Sequence, residues 1–225
     1  MTKKRILIYG DSNTYGFDAE SHARFDENTR WTKVCQKQLG DAYEIVEEGM
    51  CGRNTCHDCD EEDMISTELL EAPYVNGLKY IAPCVLSHLP LDVICVKLGS
   101  NDLDVEAERT PEMIAENAAE VLRKAKAVAE AKYPEHECQY VLMAPLASNE
   151  YALAGEFAEE FTEEILERAK LLPAAYEKKA EQEGFLYFNA NEHASCGKAD
   201  GTHLDAENHK RMGIAVAKWF EENIK

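Results

Sequence analysis

A chain of 225 residues with 43 acidic against 24 basic side chains carries a formal net charge of −19, which sets nucleic acid and anionic membrane surfaces against it as partners. Its hydrophobic content of 45% is enough for one full core, no break in composition divides it, and one domain over residues 1–225 is the expectation. The apolar run after Lys3-Lys4-Arg5 is too short for a signal peptide, and no stretch approaches the roughly 18 apolar residues that span a bilayer, so a cytoplasmic location is expected.

The first predicted strand, residues 5–9, runs straight into Gly10-Asp11-Ser12-Asn13. Gly10 permits a tight turn, and a helical turn starting at Ser12 would aim its backbone N–H outward; taken alone, the motif reads better as a helix cap, and the other loops reverse that preference. A helix over residues 29–39 leads to a second strand, 43–46, and then to Gly49-Met50-Cys51-Gly52-Arg53-Asn54. A helix over 77–88 precedes a third strand, 92–98, in which Val93-Ile94-Cys95-Val96 is continuously apolar, and Gly99-Ser100-Asn101-Asp102 follows it. The next helix, 111–132, has Pro111 in its first turn and Thr110 as its cap. A fourth strand (139–144), a helix (156–183), a fifth strand (185–188) and a last helix (206–223) capped by Asp205 complete the series, with Asp200-Gly201-Thr202-His203 before the last helix.

Apolar strands alternating with helices predict an α/β fold, a three-layer α/β/α sandwich around a five-stranded parallel sheet of flavodoxin-like topology. Ligands bind such sheets at the carboxyl ends of the strands, and four polar loops lie there. They carry a nucleophile, amide donors and an imidazole. Ser12 needs a base, and His203 can serve if Asp200, three residues earlier, fixes its tautomer. Gly52 and Asn101 are suited to hold an oxyanion, one by its backbone amide and the other by its side chain. Asp102 is expected to bond only to loop backbone.

Cys56-His57-Asp58-Cys59 has metal-ligand residue types, but a single Cys-x-x-Cys without a matching second pair predicts no zinc, and no metal is expected. The eight cysteines read as free thiols, with Cys35, Cys84, Cys95 and Cys138 acting as small hydrophobes. Residues 147–161 are left as a lid or a subunit contact. Neither Gly-x-Ser-x-Gly nor a nucleotide-phosphate loop is present.

In family order, Gly10-Asp11-Ser12-Asn13, Gly49-Met50-Cys51-Gly52-Arg53, Gly99-Ser100-Asn101-Asp102 and Asp200-Gly201-Thr202-His203 resemble the four blocks of the SGNH, or GDSL-type, hydrolases. The likeness spans nearly the whole chain and is closest to the arylesterase and acyltransferase branch, through Glu48 to Thr55, Asn76-Gly77-Leu78, His88-Leu89-Pro90-Leu91-Asp92 and Asp200 to Leu204. The resemblance implies a serine esterase without cofactor, acting on small acyl esters through Ser12, His203 and Asp200, with an oxyanion hole of Gly52, Asn101 and the Ser12 amide. It also implies that Tyr15 and Phe17 stand where the branch carries aromatic residues, either lining an acyl pocket or simply packing, and by analogy it suggests a homo-oligomer. The family's commonest first block has leucine where Asn13 stands, which puts a polar group beside the nucleophile and within the expected pocket. Carbohydrate O-acetyl esterase, thioesterase and acyl transfer suit the same constellation. A flavin- or anion-binding module on the same sheet is the alternative of another class.

Overall fold

The computed structural model describes residues 3–58, 75–103 and 109–225. Five strands, β1 (Lys4–Gly10), β2 (Tyr43–Gly49), β3 (Val93–Lys97), β4 (Gln139–Ala144) and β5 (Leu186–Asn189), form one sheet in the order β2-β1-β3-β4-β5. Every pairing is parallel, with Ile6 opposite Ile45 on one side and Val93 on the other. The strand order reverses at β1 and β3, so the loops leaving these two strands diverge around a crevice.

Among the described residues, six α-helices accompany the sheet: α1 (Ser12–Tyr15), α2 (Trp31–Leu39), α3 (Gly77–His88), α4 (Pro111–Lys132), α5 (Glu163–Glu183) and α6 (Ala206–Asn223). The inner strands β1, β3 and β4 read as largely apolar runs because both of their faces are covered. Leu7, Tyr9, Ile94, Val96 and Leu142 pack with residues of α3, α4 and α5, whereas Ile6, Ile8, Val93, Cys95, Val141 and Met143 pack with Trp31 and Cys35 of α2 and Met212, Val216 and Phe220 of α6. Each such fully buried aliphatic chain contributes roughly 1.5–3 kcal/mol, so the sheet holds its loops on a stiff base.

Helix starts follow their capping chemistry: Thr110 accepts a hydrogen bond from Met113 N and Asp205 from Asn208 N. One expectation is corrected. Helix α5 begins at Glu163 rather than at residue 156, because Thr162 is its cap, accepting from Ile165 N, with Glu163 and Glu164 in the first turn facing the positive end of the helix dipole. The residues before it form two 3-10 turns, Glu150–Leu153 and Ala158–Glu160. No helix among the described residues is long and apolar enough to cross a membrane.

Candidate active site

At the end of β1 the backbone passes through Gly10 and Asp11 into α1, a single turn that begins with Ser12. Asp11 caps this turn by accepting from Asn13 N, and Gly16 closes it in the left-handed region at φ 86°. The approach is close. A Cβ on Gly10 would lie 2.2 Å from Thr14 Oγ1, and one on Gly49 would lie 2.1 Å from Tyr15 N, so α1 sits directly on the end of β2.

Asp11 is fully buried and holds more than the cap. Its carboxylate accepts from Lys97 Nζ at 3.2 Å and from Ser100 Oγ at 2.8 Å. Lys97 is also fully buried, at the last position of β3, so an ion pair joins the ends of β1 and β3 beneath Ser12. A buried charge persists in a fold only when paired and hydrogen-bonded, and Asp11 meets both conditions.

Ser12 Oγ lies 2.9 Å from His203 Nε2, and His203 Nδ1 lies 2.5 Å from Asp200 Oδ2. Asp200 is buried, and its second oxygen accepts from the backbone N–H groups of Thr202 and His203 at 2.9 and 3.0 Å. Burial pushes the Asp200 carboxyl up, but the hydrogen bond and charge of His203 together with the two backbone donors outweigh it and hold the group well below the usual carboxylate range. An ionised Asp200 fixes the proton on Nδ1 and turns the Nε2 lone pair toward Ser12. This is a path for taking a proton from a serine hydroxyl.

The other two loops are stitched together beside it. Gly52 takes a positive φ of 73°, and the residue after it, Arg53, is buried with its guanidinium 4.0 Å above the Tyr9 ring and bonded to the carbonyls of Gly10 and Glu48. Asn101 Nδ2 donates to the Arg53 carbonyl at 2.9 Å, which orients an amide that has a second N–H to offer. Thr55 donates its backbone N–H at 3.0 Å and its hydroxyl to Asp102. Asp102 is fully buried, and burial raises its pKa to about 6 against the opposing pull of the Thr55 bonds and Arg109. Asp102 thus does more than bond loop backbone: it binds the loop after β2 to the loop after β3.

The expected pocket residues divide. Phe17 packs on His203, with ring centroids 4.7 Å apart. Tyr15 lies beneath Arg24, whose guanidinium is 4.5 Å from the ring centroid. Asn13 does not take the acyl-facing place expected of it: it is buried, and both ends of its side-chain amide are bonded to the loop that carries His203.

Three participants were not singled out from sequence. Phe157 stacks edge-on to His203 at 6.0 Å, held there by the 3-10 turns of residues 150–160, where helical periodicity gave no sign of it. In the sequence Arg53 stands out only as part of a block. Lys97 did leave a signal, a lone charge closing an otherwise apolar strand. Residues 147–161 buttress the site: Asn149 N donates to the Gly201 carbonyl at 3.0 Å, Gly155 packs on Asp200, and Glu156 pairs with His22 at 3.4 Å.

Cys56 lies 3.6 Å from His57 Nε2, and Cys59 falls outside the described residues. Elsewhere among the described residues, Glu48, Cys84 and His88 converge, but the Glu48 carboxylate is already bonded to His88 Nε2 at 2.8 Å. Cys35, Cys84, Cys95, Cys138 and Cys196 are free thiols.

Residues 8–211 match the sequence model of the GDSL-like lipase/acylhydrolase family. Among solved structures, the chain is similar to the aryl esterase of M. smegmatis, with 28% identity, a TM-score of 0.85 and coverage of 97% of this chain and 99% of that one. It is likewise similar to Est24, a carbohydrate acetylesterase from Sinorhizobium meliloti, with 29% identity, a TM-score of 0.82 and coverage of 98% and 99%. A search of curated protein sequences finds no significant match.

Proposed function

Because the chain belongs to the GDSL-like lipase/acylhydrolase family and is a serine esterase with small-molecule ester substrates, we propose that it cleaves short acyl esters through a covalent intermediate on Ser12, with His203 and Asp200 as base and orienting carboxylate. The observation that carries this reading is the unbroken line from Asp200 Oδ2 through the imidazole to Ser12 Oγ, with links of 2.5 and 2.9 Å. Ser12 Oγ attacks the acyl carbonyl while His203 Nε2 takes its proton. The charge on the former carbonyl oxygen is held by the backbone N–H groups of Ser12 and Gly52 and by the Asn101 amide. Collapse expels the alcohol, which receives its proton from His203, and leaves an acyl-serine. Water then attacks that ester, giving its proton to His203, which returns it to Ser12 Oγ as the acyl–oxygen bond breaks and the carboxylic acid leaves; an alcohol in place of water completes acyl transfer by the same steps and releases the new ester.

A short acyl group is favoured by the rings of Phe17 and Phe157 packed on His203, which narrow the space around the reacting atoms. Acetyl esters, including those on carbohydrates, agree with this and with the activity named for Est24. Family membership sets aside the flavin- or anion-binding module.

The test is turnover of p-nitrophenyl acetate by the wild type and by Ser12→Ala. Loss of turnover by at least about a thousandfold in a folded variant, with loss of fluorophosphonate labelling, is the expected result. Undiminished turnover in Ser12→Ala overturns the reading.

A further inference from the structure

Ser12 and His203 are brought to within a hydrogen bond of each other although they belong to different loops, and the loop that carries His203 has little regular structure of its own. Asn13 bridges the two. Its Oδ1 accepts from Leu204 N at 2.8 Å and its Nδ2 donates to the Thr202 carbonyl at 3.1 Å, so a single side chain grips the backbone on both sides of His203. Asn13 is itself anchored from behind. Its backbone N–H bonds to Asp11, and its carbonyl accepts from the indole N–H of Trp31 at 3.0 Å, a residue fully buried in α2.

We propose that Asn13 is a positioning residue that sets the Ser12–His203 separation by clamping the His203 loop to the helix of the nucleophile. The geometry requires both polar ends. An amide is the one uncharged side-chain group that offers an acceptor and an N–H donor on adjacent atoms, and Asn13 presents its acceptor to a backbone N–H and its donor to a backbone carbonyl. Among the described residues, these are the hydrogen bonds joining α1 to the His203 loop apart from the Ser12–His203 bond itself. A side chain that is apolar at this position leaves His203 and its loop held by Asp200, by the Thr202 hydroxyl at Nδ1, by the Gly197 N–H on the His203 carbonyl and by the Phe17 and Phe157 rings, none of which is a hydrogen bond to α1.

The inference rests on Ser12 as nucleophile and His203 as its base, and the experiment separates the two. Asn13→Leu conserves side-chain size and removes both bonds; Asn13→Asp keeps the acceptor for Leu204 N and loses the donor to Thr202. With p-nitrophenyl acetate, Asn13→Leu is expected to lose about tenfold to a hundredfold in kcat with KM within twofold of wild type, since a displacement of about 1 Å between reacting groups costs on that order. Asn13→Asp should fall between the two, and it carries the test alone should the leucine variant fail to fold. The low-field proton resonance of His203 Nδ1–H is recorded in parallel; a looser loop should broaden it by exchange with water. A kcat within twofold of wild type in a folded Asn13→Leu or Asn13→Asp overturns the proposal, as does a rise in KM at constant kcat, which would make Asn13 a substrate contact. Should Ser12→Ala retain full turnover, the reading of the nucleophile fails instead, and the clamp is then decided by the resonance: broadening supports it and an unchanged line refutes it.

Discussion

Asp102 is an acid buried for the sake of two loops, and its burial should be visible as a pH dependence of stability. Its carboxyl is fully buried, accepts from the Thr55 backbone and hydroxyl, lies 3.4 Å from His57 Nε2, and has its pKa raised from 3.8 to about 6, chiefly by burial. Between these values the folded protein keeps a proton that the unfolded chain has lost, so this group's contribution to stability falls as pH rises from about 4 to 6 and is level above that. The full window is worth about 3 kcal/mol, and the part between pH 5 and pH 8 about 1 kcal/mol. Asp102→Asn removes the titration but keeps the contacts, because Oδ1 can still accept from Thr55 N while Nδ2 donates to the Thr55 hydroxyl. The wild type alone would be hard to read. Burial and Lys97 push His209 down to about 3, and a histidine kept neutral in the fold adds stability as pH rises, the opposite sign. That term is common to both proteins and cancels in their difference. Urea unfolding at pH 5 and pH 8 should therefore show the stability of Asp102→Asn, relative to wild type, improving by about 1 kcal/mol at the higher pH. A difference that stays constant or shrinks between the two values refutes the argument that Asp102 is held against its own ionisation.

Three further substitutions probe the stitching of the site. Lys97→Met should destabilise by about 3–5 kcal/mol in chemical unfolding, because Asp11 is left charged and fully buried, and adding Asp11→Asn should recover most of the loss. Asn101→Ala should lower kcat for p-nitrophenyl acetate by about a hundredfold to a thousandfold with little change in KM, the usual cost of one oxyanion donor. Gly49→Ala should lower both stability and kcat, since the added methyl would fall 2.1 Å from Tyr15 N and 2.4 Å from the Thr14 carbonyl carbon and push α1 off the sheet; unchanged thermal and kinetic values would refute that packing.

The sheet and its helices were legible because their signals are local and repeated. Strands covered on both faces leave continuous apolar runs, and the caps Thr110 and Asp205 mark their helices within three residues. The error at residue 156 has the same origin. Acidic and apolar residues there mimic a helical face, while the stronger local signal, Thr162 followed by two glutamates, lay six residues on.

The site divides along the same line. Ser12, Asp200 and His203 could be proposed from sequence because each stands in a short motif whose residue types state a chemistry. What places them relative to one another is not local. Asn13 meets Thr202 and Leu204 across 189 and 191 positions, Asp11 meets Lys97 across 86, and Thr55 meets Asp102 across 47. No spacing in the sequence records such pairs, because the parallel sheet alone brings the loops together. They do leave one trace, polar residues without local employment: a lysine at the end of an apolar strand, an asparagine where leucine would pack, an aspartate after Asn101. On the proposed mechanism the motifs supply the reactive atoms, and these displaced polar residues join the loops that carry them.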